Sequence, residues 1–277
     1  MAVSSHTRGY SARRMARSDS VRALGRAGFV ARGVVYLLIG WITLLIALQH
    51  KALEADRTGA LELIASKPLG SVLLWFLVVG FGGMALWRLS EAAFPTASGG
   101  SGKKAAGSRA ASLFRVVVYT LACISTLTFV LTHKSNGSTN QASQDFTART
   151  MAHPGGVVLV ALVGIALIVG GLALVWRGVT RKFAKDLMLG SMSAGKRRWV
   201  LRLGTIGNVA RGVVFAAVGG FMLDAAVTFD PKQAKGVDAT LRSFAAASYG
   251  PLLLILMAVG LAAFGLYSWG EARWRRL

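Results

Sequence analysis

Residues 30–40 read VARGVVYLLIG, and residues 209–219 read VARGVVFAAVG. Both stretches place an arginine just inside an apolar run long enough to cross a bilayer, in the same frame and with nearly the same neighbours. A bilayer core of about 30 Å needs about 20 apolar residues at about 1.5 Å rise each. Six such runs are present, at roughly 27–48, 69–89, 113–132, 155–176, 206–228 and 250–269. The 277-residue chain is 54 % hydrophobic and 16 % charged, which is too apolar and too poor in charge for an ordinary soluble domain. Backbone groups in hydrocarbon must bond within their own segment, so the spans are helical. The fold expected is all-α and polytopic.

The net charge of +21 is laid out by topology. Of the 32 Lys and Arg, 20 fall in the N-terminal tail, the second and fourth inter-span segments and the C-terminus, against 8 in the other three loops. This is the positive-inside pattern, which puts both termini in the cytoplasm of a multi-pass bacterial cytoplasmic-membrane protein. The partners expected are anionic membrane lipids and other membrane proteins. Nucleic acid is not expected, because no recognition module accompanies the charge. Cys123 is the single cysteine, so no internal disulfide forms. The first apolar run is longer than a signal-peptide core and has no small-residue cleavage site after it.

The repetition extends beyond the two quoted stretches. Leu24-Gly25-x-x-Gly28 matches Leu203-Gly204-x-x-Gly207, and Arg115-Val116-Val117-Val118-Tyr119 is a weaker copy of Arg32 to Tyr36 and of Arg211 to Phe215. The even spans repeat as well, LWRLSEA at 86–92 corresponding to LYSWGEA at 266–272, which equates Glu91 with Glu271. The middle unit reads ALVWRGV at 173–179, with Trp176-Arg177 set against Trp87-Arg88 and no acid. The units are three parallel two-helix repeats, expected around a pseudo-threefold axis. They divide the chain into a flexible basic tail at 1–22, repeat 1 at 23–96, a flexible linker at 97–112, repeat 2 at 113–183, a basic cytoplasmic loop at 184–202 and repeat 3 at 203–277. Phe183 and Trp199, among the cations of 177–202, suit an interfacial helix.

The [A]-R-G-V-V-[YF] helix start and the L-W-R-x-x-E-A helix end resemble domain-of-unknown-function family 1206, bacterial membrane proteins built from three such pairs. The resemblance runs from Leu24 to Arg276, with Phe114, Val116 and the missing acid as departures in the middle unit. It implies the architecture and brings no activity with it.

Two accounts of the arginines stand side by side. Arg32 lies about 8 Å into its run, near enough for the guanidinium to snorkel to headgroups. Alternatively, each hairpin holds an intramembrane ion pair, Arg32 with Glu91 and Arg211 with Glu271. Arg115 has no acid in its own unit. With Arg32, Arg211, Tyr36 and Tyr119 it makes the candidate set for an anion or lipid headgroup. On a helical wheel Arg32, Tyr36 and Thr43 share a face, as do Arg115, Tyr119 and Thr126, then Arg211, Phe215 and Met222. His50-Lys51, His133-Lys134 and Phe229-Asp230 read as interfacial anchors and not as a metal site. Asp224 reads as a helix-end acid reaching water, and Gly80, Gly83, Gly170 and Gly171 read as packing glycines. No nucleophile motif, phosphate loop or ligand cluster is present, so no catalytic residue, metal or cofactor is expected. The function expected is a non-enzymatic structural, accessory or lipid-interacting membrane component. The rival is a small-solute or ion transporter with an axial cavity lined by Arg32, Arg115 and Arg211.

Overall fold

The computed structural model describes residues 19–49, 54–93, 103–132, 138–247 and 249–276. Among these the secondary structure is helical apart from short turns. Six long helices are α1 (Asp19–Gln49), α3 (Gly70–Ala93), α4 (Lys103–Thr132), α6 (Gly156–Val179), α7 (Ala194–Thr228) and α9 (Gly250–Trp274). Three short ones, α2 (Arg57–Ala65), α5 (Thr139–Met151) and α8 (Val237–Ala245), sit between the members of each pair. All six long helices are apolar enough over enough residues to cross a membrane, making this a multi-pass membrane protein. The short helices gather at one end of the bundle, and the ends of α1, α3 and α9 nearest the chain termini and linkers gather at the other, here the terminal end.

Several boundaries differ from the sequence expectation. Helix α1 already begins at Asp19, and residues 103–112, expected as flexible linker, are the first turns of α4. Residues 194–202 of the expected loop are likewise the first turns of α7. Ala and Lys favour helix, and a span already nucleated extends outward at little cost. The segment between α6 and α7 is no interfacial helix: it makes two 3₁₀ turns, and Phe183 is buried against Tyr267.

The three repeats share one turn into their second span. Ser66, Ala152 and Ala246 each donate a backbone N–H to the carbonyl four residues back, and Gly70, Gly156 and Gly250 close the turn onto Lys67, His153 and Ala247 at 2.9, 2.9 and 2.8 Å. A Cβ on these glycines would lie 2.1, 1.7 and 1.8 Å from the carbonyl oxygens of Ile64, Thr150 and Ala245, so no other residue fits. The short helices are also stitched in sequence across repeats. Asp56 accepts from Thr139 N–H (2.8 Å), Asn140 from Gly236 N–H (3.2 Å) and Asp238 from Ala55 N–H (2.7 Å), linking first to second, second to third and third to first.

Between spans, glycines set the spacing. Each odd span packs tightly on the even span of the preceding repeat. A Cβ on Gly33 would meet the Gly265 carbonyl at 2.8 Å, and one on Gly212 would meet that of Gly171 at 2.6 Å. In the remaining seam of this kind, Cys123 of α4 lies 3.5 Å from the Val78 carbonyl of α3. Within the first and third hairpins the two spans also touch, through Gly28 on Met84 and Gly207 on Phe264. The middle hairpin departs from this plan. Helices α4 and α6 do not pack along one another, and Gly170, expected as a packing glycine, has no described atom within 4 Å of an added Cβ. Only 17 % of the most apolar window of α6 is buried against 56 % in α1, so α6 presents most of its surface to lipid.

Two predictions follow from this packing. Gly212→Leu is expected to cost about 1–3 kcal/mol by overpacking the α6–α7 seam. Gly170→Ala should cost nothing and gain up to about 1 kcal/mol of helix propensity; thermal unfolding in detergent distinguishes them. At the short-helix end, burial and then the carboxylates of Asp56, Asp238 and Glu62 push the Glu54 carboxyl above its ordinary value. The ionised form is thus disfavoured in the fold. The penalty is absent below the ordinary value, where Glu54 is protonated folded or unfolded, and complete above the raised one. Glu54→Gln should therefore raise the melting temperature near pH 7 and leave it unchanged at about pH 3.

Candidate functional site

The stripe shared by the odd spans faces inward. Arg32 is 8 % exposed, and Thr43, Thr126 and Met222 further along the same faces are buried. The Arg32 Nε donates to Ser268 Oγ (3.0 Å) and one terminal nitrogen to Tyr119 Oη (3.4 Å). The other terminal nitrogen is ion-paired with the Glu271 carboxylate, and the rings of Phe29 and Phe264 lie 4.8 and 4.9 Å from the guanidinium carbon. Arg32 is therefore satisfied inside the protein and does not snorkel.

The partner is not the one expected. The pair Arg32–Glu271 joins the first span to the last, whereas the sequence reading put Glu271 on Arg211 and Glu91 on Arg32. Gly33 and Gly265 bring α1 and α9 into backbone contact, and Arg32 is the neighbour of Gly33 on that seam. The pairing follows the tight inter-repeat seam and not the hairpin. The side chain of Glu91 lies outside the described residues, as do His50, Lys51, His133 and Lys134.

Glu271 is shared. Arg275 donates to its other oxygen and also approaches Asp186 at 3.8 Å, and Asp186 accepts from Arg177 at 3.2 Å. Charges thus alternate from the bundle interior to the surface, through Arg32, Glu271, Arg275, Asp186 and Arg177. Backbone bonds from Met188 N–H to the Trp274 carbonyl (2.8 Å) and from Arg276 N–H to that of Asp186 (3.0 Å) hold the C-terminal residues to the 180–193 segment beneath this chain.

The other two arginines are treated differently. Arg115, singled out because its own repeat has no acid, is half-buried on α4 and partnered. Arg211 makes no ion pair and donates no hydrogen bond among the described residues, and its Nε is buried without a partner. The rings of Phe264, Phe215 and Tyr36 lie 4.7, 5.0 and 5.6 Å from its guanidinium carbon. Tyr36 also stacks edge-on against Phe264 at 4.7 Å. The Tyr119 hydroxyl lies in the combined field of Arg32, Arg88 and Arg211. Arg32, Arg211 and Tyr36 therefore come together around Phe264, and Tyr119 joins them through Arg32.

The seams also correct the repeat alignment. Gly33 meets Gly265 as Gly212 meets Gly171, and Gly40 meets Ala258 as Gly219 meets Gly164. The same register on α3, through Cys123 and Val78, preserves Glu91 opposite Glu271. Carried to the middle repeat, it places Arg177 where the other two repeats have glutamate. Likewise Leu174 stands at the position of Ser268, and Gly170 at that of Phe264. The matching Trp-Arg dipeptides had set Arg177 against Arg88, three residues out of register. Asp224 is exposed near the end of α7, as a helix-end acid would be. Two surface clefts lie at the short-helix end, one beside Arg242 and Pro251 and one beside His153 and Pro154, and neither is lined by the repeated arginines.

Removing one member of a buried pair leaves the other charge uncompensated. Glu271→Gln is expected to cost about 3–5 kcal/mol in unfolding free energy, while Arg32→Met combined with Glu271→Leu should recover much of that loss. Equilibrium unfolding of the single and double variants gives the comparison.

The comparisons with known proteins agree with the repeat. The family model described as Domain of Unknown Function (DUF1206) matches three times, at residues 27–95, 110–181 and 206–275. A protein of Bacillus subtilis (strain 168) described as "Uncharacterized protein YxxB" is 30 % identical over 248 residues, covering 90 % of this chain and 89 % of the relative. No solved structure matches. Three matches spread across the chain, each on one pair of long helices, show that the protein belongs to the DUF1206 family.

Proposed function

We propose that the protein is a non-enzymatic component of the bacterial cytoplasmic membrane, with both termini in the cytoplasm, that engages anionic lipid headgroups and serves a structural or accessory role. The observation that carries this reading is the terminal end of the bundle. Arg181, Lys182, Lys185, Lys196, Arg197 and Arg198 are exposed there, flanked by Trp176 at 60 % and Trp199 at 64 % exposure. Cations attract an anionic leaflet, and tryptophan favours the headgroup level. The cations are also held in place. Buried Phe183 and Leu187 anchor the 180–193 segment, and Lys196 to Arg198 ride on a continuous helix. A fixed array of charge loses less entropy on binding lipid than a loose tail.

The test is lipid selectivity in mixed bilayers. In nanodiscs containing phosphatidylglycerol and phosphatidylcholine, the protein should retain phosphatidylglycerol preferentially by native mass spectrometry. The Lys196→Gln, Arg197→Gln, Arg198→Gln triple variant should lose most of that preference, at about 1 kcal/mol per cation removed. Unchanged preference in the triple variant overturns the reading. Orientation is checked in a Cys123→Ser background: Lys196→Cys should label only in permeabilised cells, and Gln144→Cys in intact ones.

A further inference from the structure

The two arginine seams can be compared position by position. On α9, Arg32 meets a ring from Phe264, a hydroxyl from Ser268 and a carboxylate from Glu271. On α6 the positions equivalent to those three, in the register set by Gly171 on Gly212, are Gly170, Leu174 and Arg177. The ring is replaced by open space, the hydroxyl by an alkyl group and the anion by a cation. Rings beside Arg211 attract its charge but carry none, and they leave its N–H donors without an oxygen acceptor. An arginine within a span is ordinarily paired or faces a water-filled cavity, and marks a ligand or ion pathway when it is not paired within the protein. Space is open on α6: α4 and α6 are apart, and nothing among the described residues lies within 4 Å of a Cβ added at Gly170.

We propose that Arg211 and Arg177 form an intramembrane site for one phosphate group, entered sideways between α4 and α6 beside Gly170. The phosphate takes the role that Glu271 has at Arg32. Two guanidinium forks suit a tetrahedral oxyanion better than a single carboxylate, because four oxygens accept from both at once. Arg177 is 40 % exposed on the side chain and now held by Asp186, so the incoming phosphate draws it from Asp186 towards Arg211. The group is either the phosphodiester of an anionic lipid or free inorganic phosphate. This site is separate from the exposed basic face around Lys196 to Arg198.

Thermal unfolding of the full-length protein in detergent is followed with added inorganic phosphate in one series and added dioleoyl phosphatidylglycerol in another. The wild type should be stabilised in a saturable manner by at least one. A response to phosphatidylglycerol alone assigns a lipid headgroup, and a response to phosphate alone assigns a free anion. Arg211→Gln and Arg177→Glu should each weaken the apparent affinity about tenfold or more, the weight of one charge-assisted hydrogen bond. Arg177→Glu should also raise the melting temperature without ligand, since it supplies the carboxylate internally. Gly170→Phe should block binding while leaving the fold intact, because Phe264 occupies the equivalent position in repeat 3. The Lys196, Arg197, Arg198 triple variant should keep the response, which separates this site from the surface reading. The proposal is overturned if the wild type responds to neither probe. It is equally overturned if Arg211→Gln and Arg177→Glu respond like the wild type.

Discussion

A guanidinium placed inside a span has to be neutralised there, and most of the organisation at the terminal end of this protein follows from how Arg32 meets that demand. Its carboxylate comes from the last helix of the chain, so one ion pair joins residue 32 to residue 271 and closes the first repeat on the third. Hydrophobic attraction does little to hold spans together, because lipid tails are as apolar as leucine. Close backbone approach through Gly33, Gly40 and Gly265 supplies the packing, and the ion pair on the same seam specifies which helices meet and in what register. Arg275 and Asp186 extend the pairing outward until Arg177 reaches solvent.

The middle repeat shows what happens when the same scaffold loses the acid. Helices α6 and α7 keep the glycine seam, Gly171 meeting Gly212 and Gly164 meeting Gly219 as Gly265 meets Gly33 and Ala258 meets Gly40. The backbone geometry is therefore retained while the chemistry at the arginine is inverted. The middle hairpin is also the one whose spans stand apart, and Gly170 stands there at the position of Phe264. The α6–α7 seam thus combines an arginine whose Nε has no partner with a helix that stands apart from α4, whereas the arginine on the equivalent α1–α9 seam has its carboxylate.

At the short-helix end the constraint is different. Water is available to the loops, so backbone amides there need not be satisfied within one segment. The three cross-repeat bonds from Asp56, Asn140 and Asp238 tie the short helices to one another in order around the bundle. These acceptors occupy different places in their own repeats, and no motif marks them in the sequence.

Span number, helical class, the threefold repetition and the shared helix faces headed by Arg32, Arg115 and Arg211 were legible from the sequence, because hydropathy and periodicity are local properties of a chain. The pairing of those arginines was not. Glu91 and Glu271 were recognised as equivalent, yet Glu271 was assigned to Arg211 of its own hairpin when it pairs with Arg32, since connectivity favours the hairpin while glycine contacts favour the neighbouring repeat. Matching Trp-Arg dipeptides hid the position of Arg177 three residues away from its true register, and only the contacts of Gly33, Gly212 and Cys123 reveal it. Sequence alone determined which residues are too costly to leave alone in lipid. The tertiary structure decided which of them have partners, because partnership across 239 residues depends on which helix faces come together.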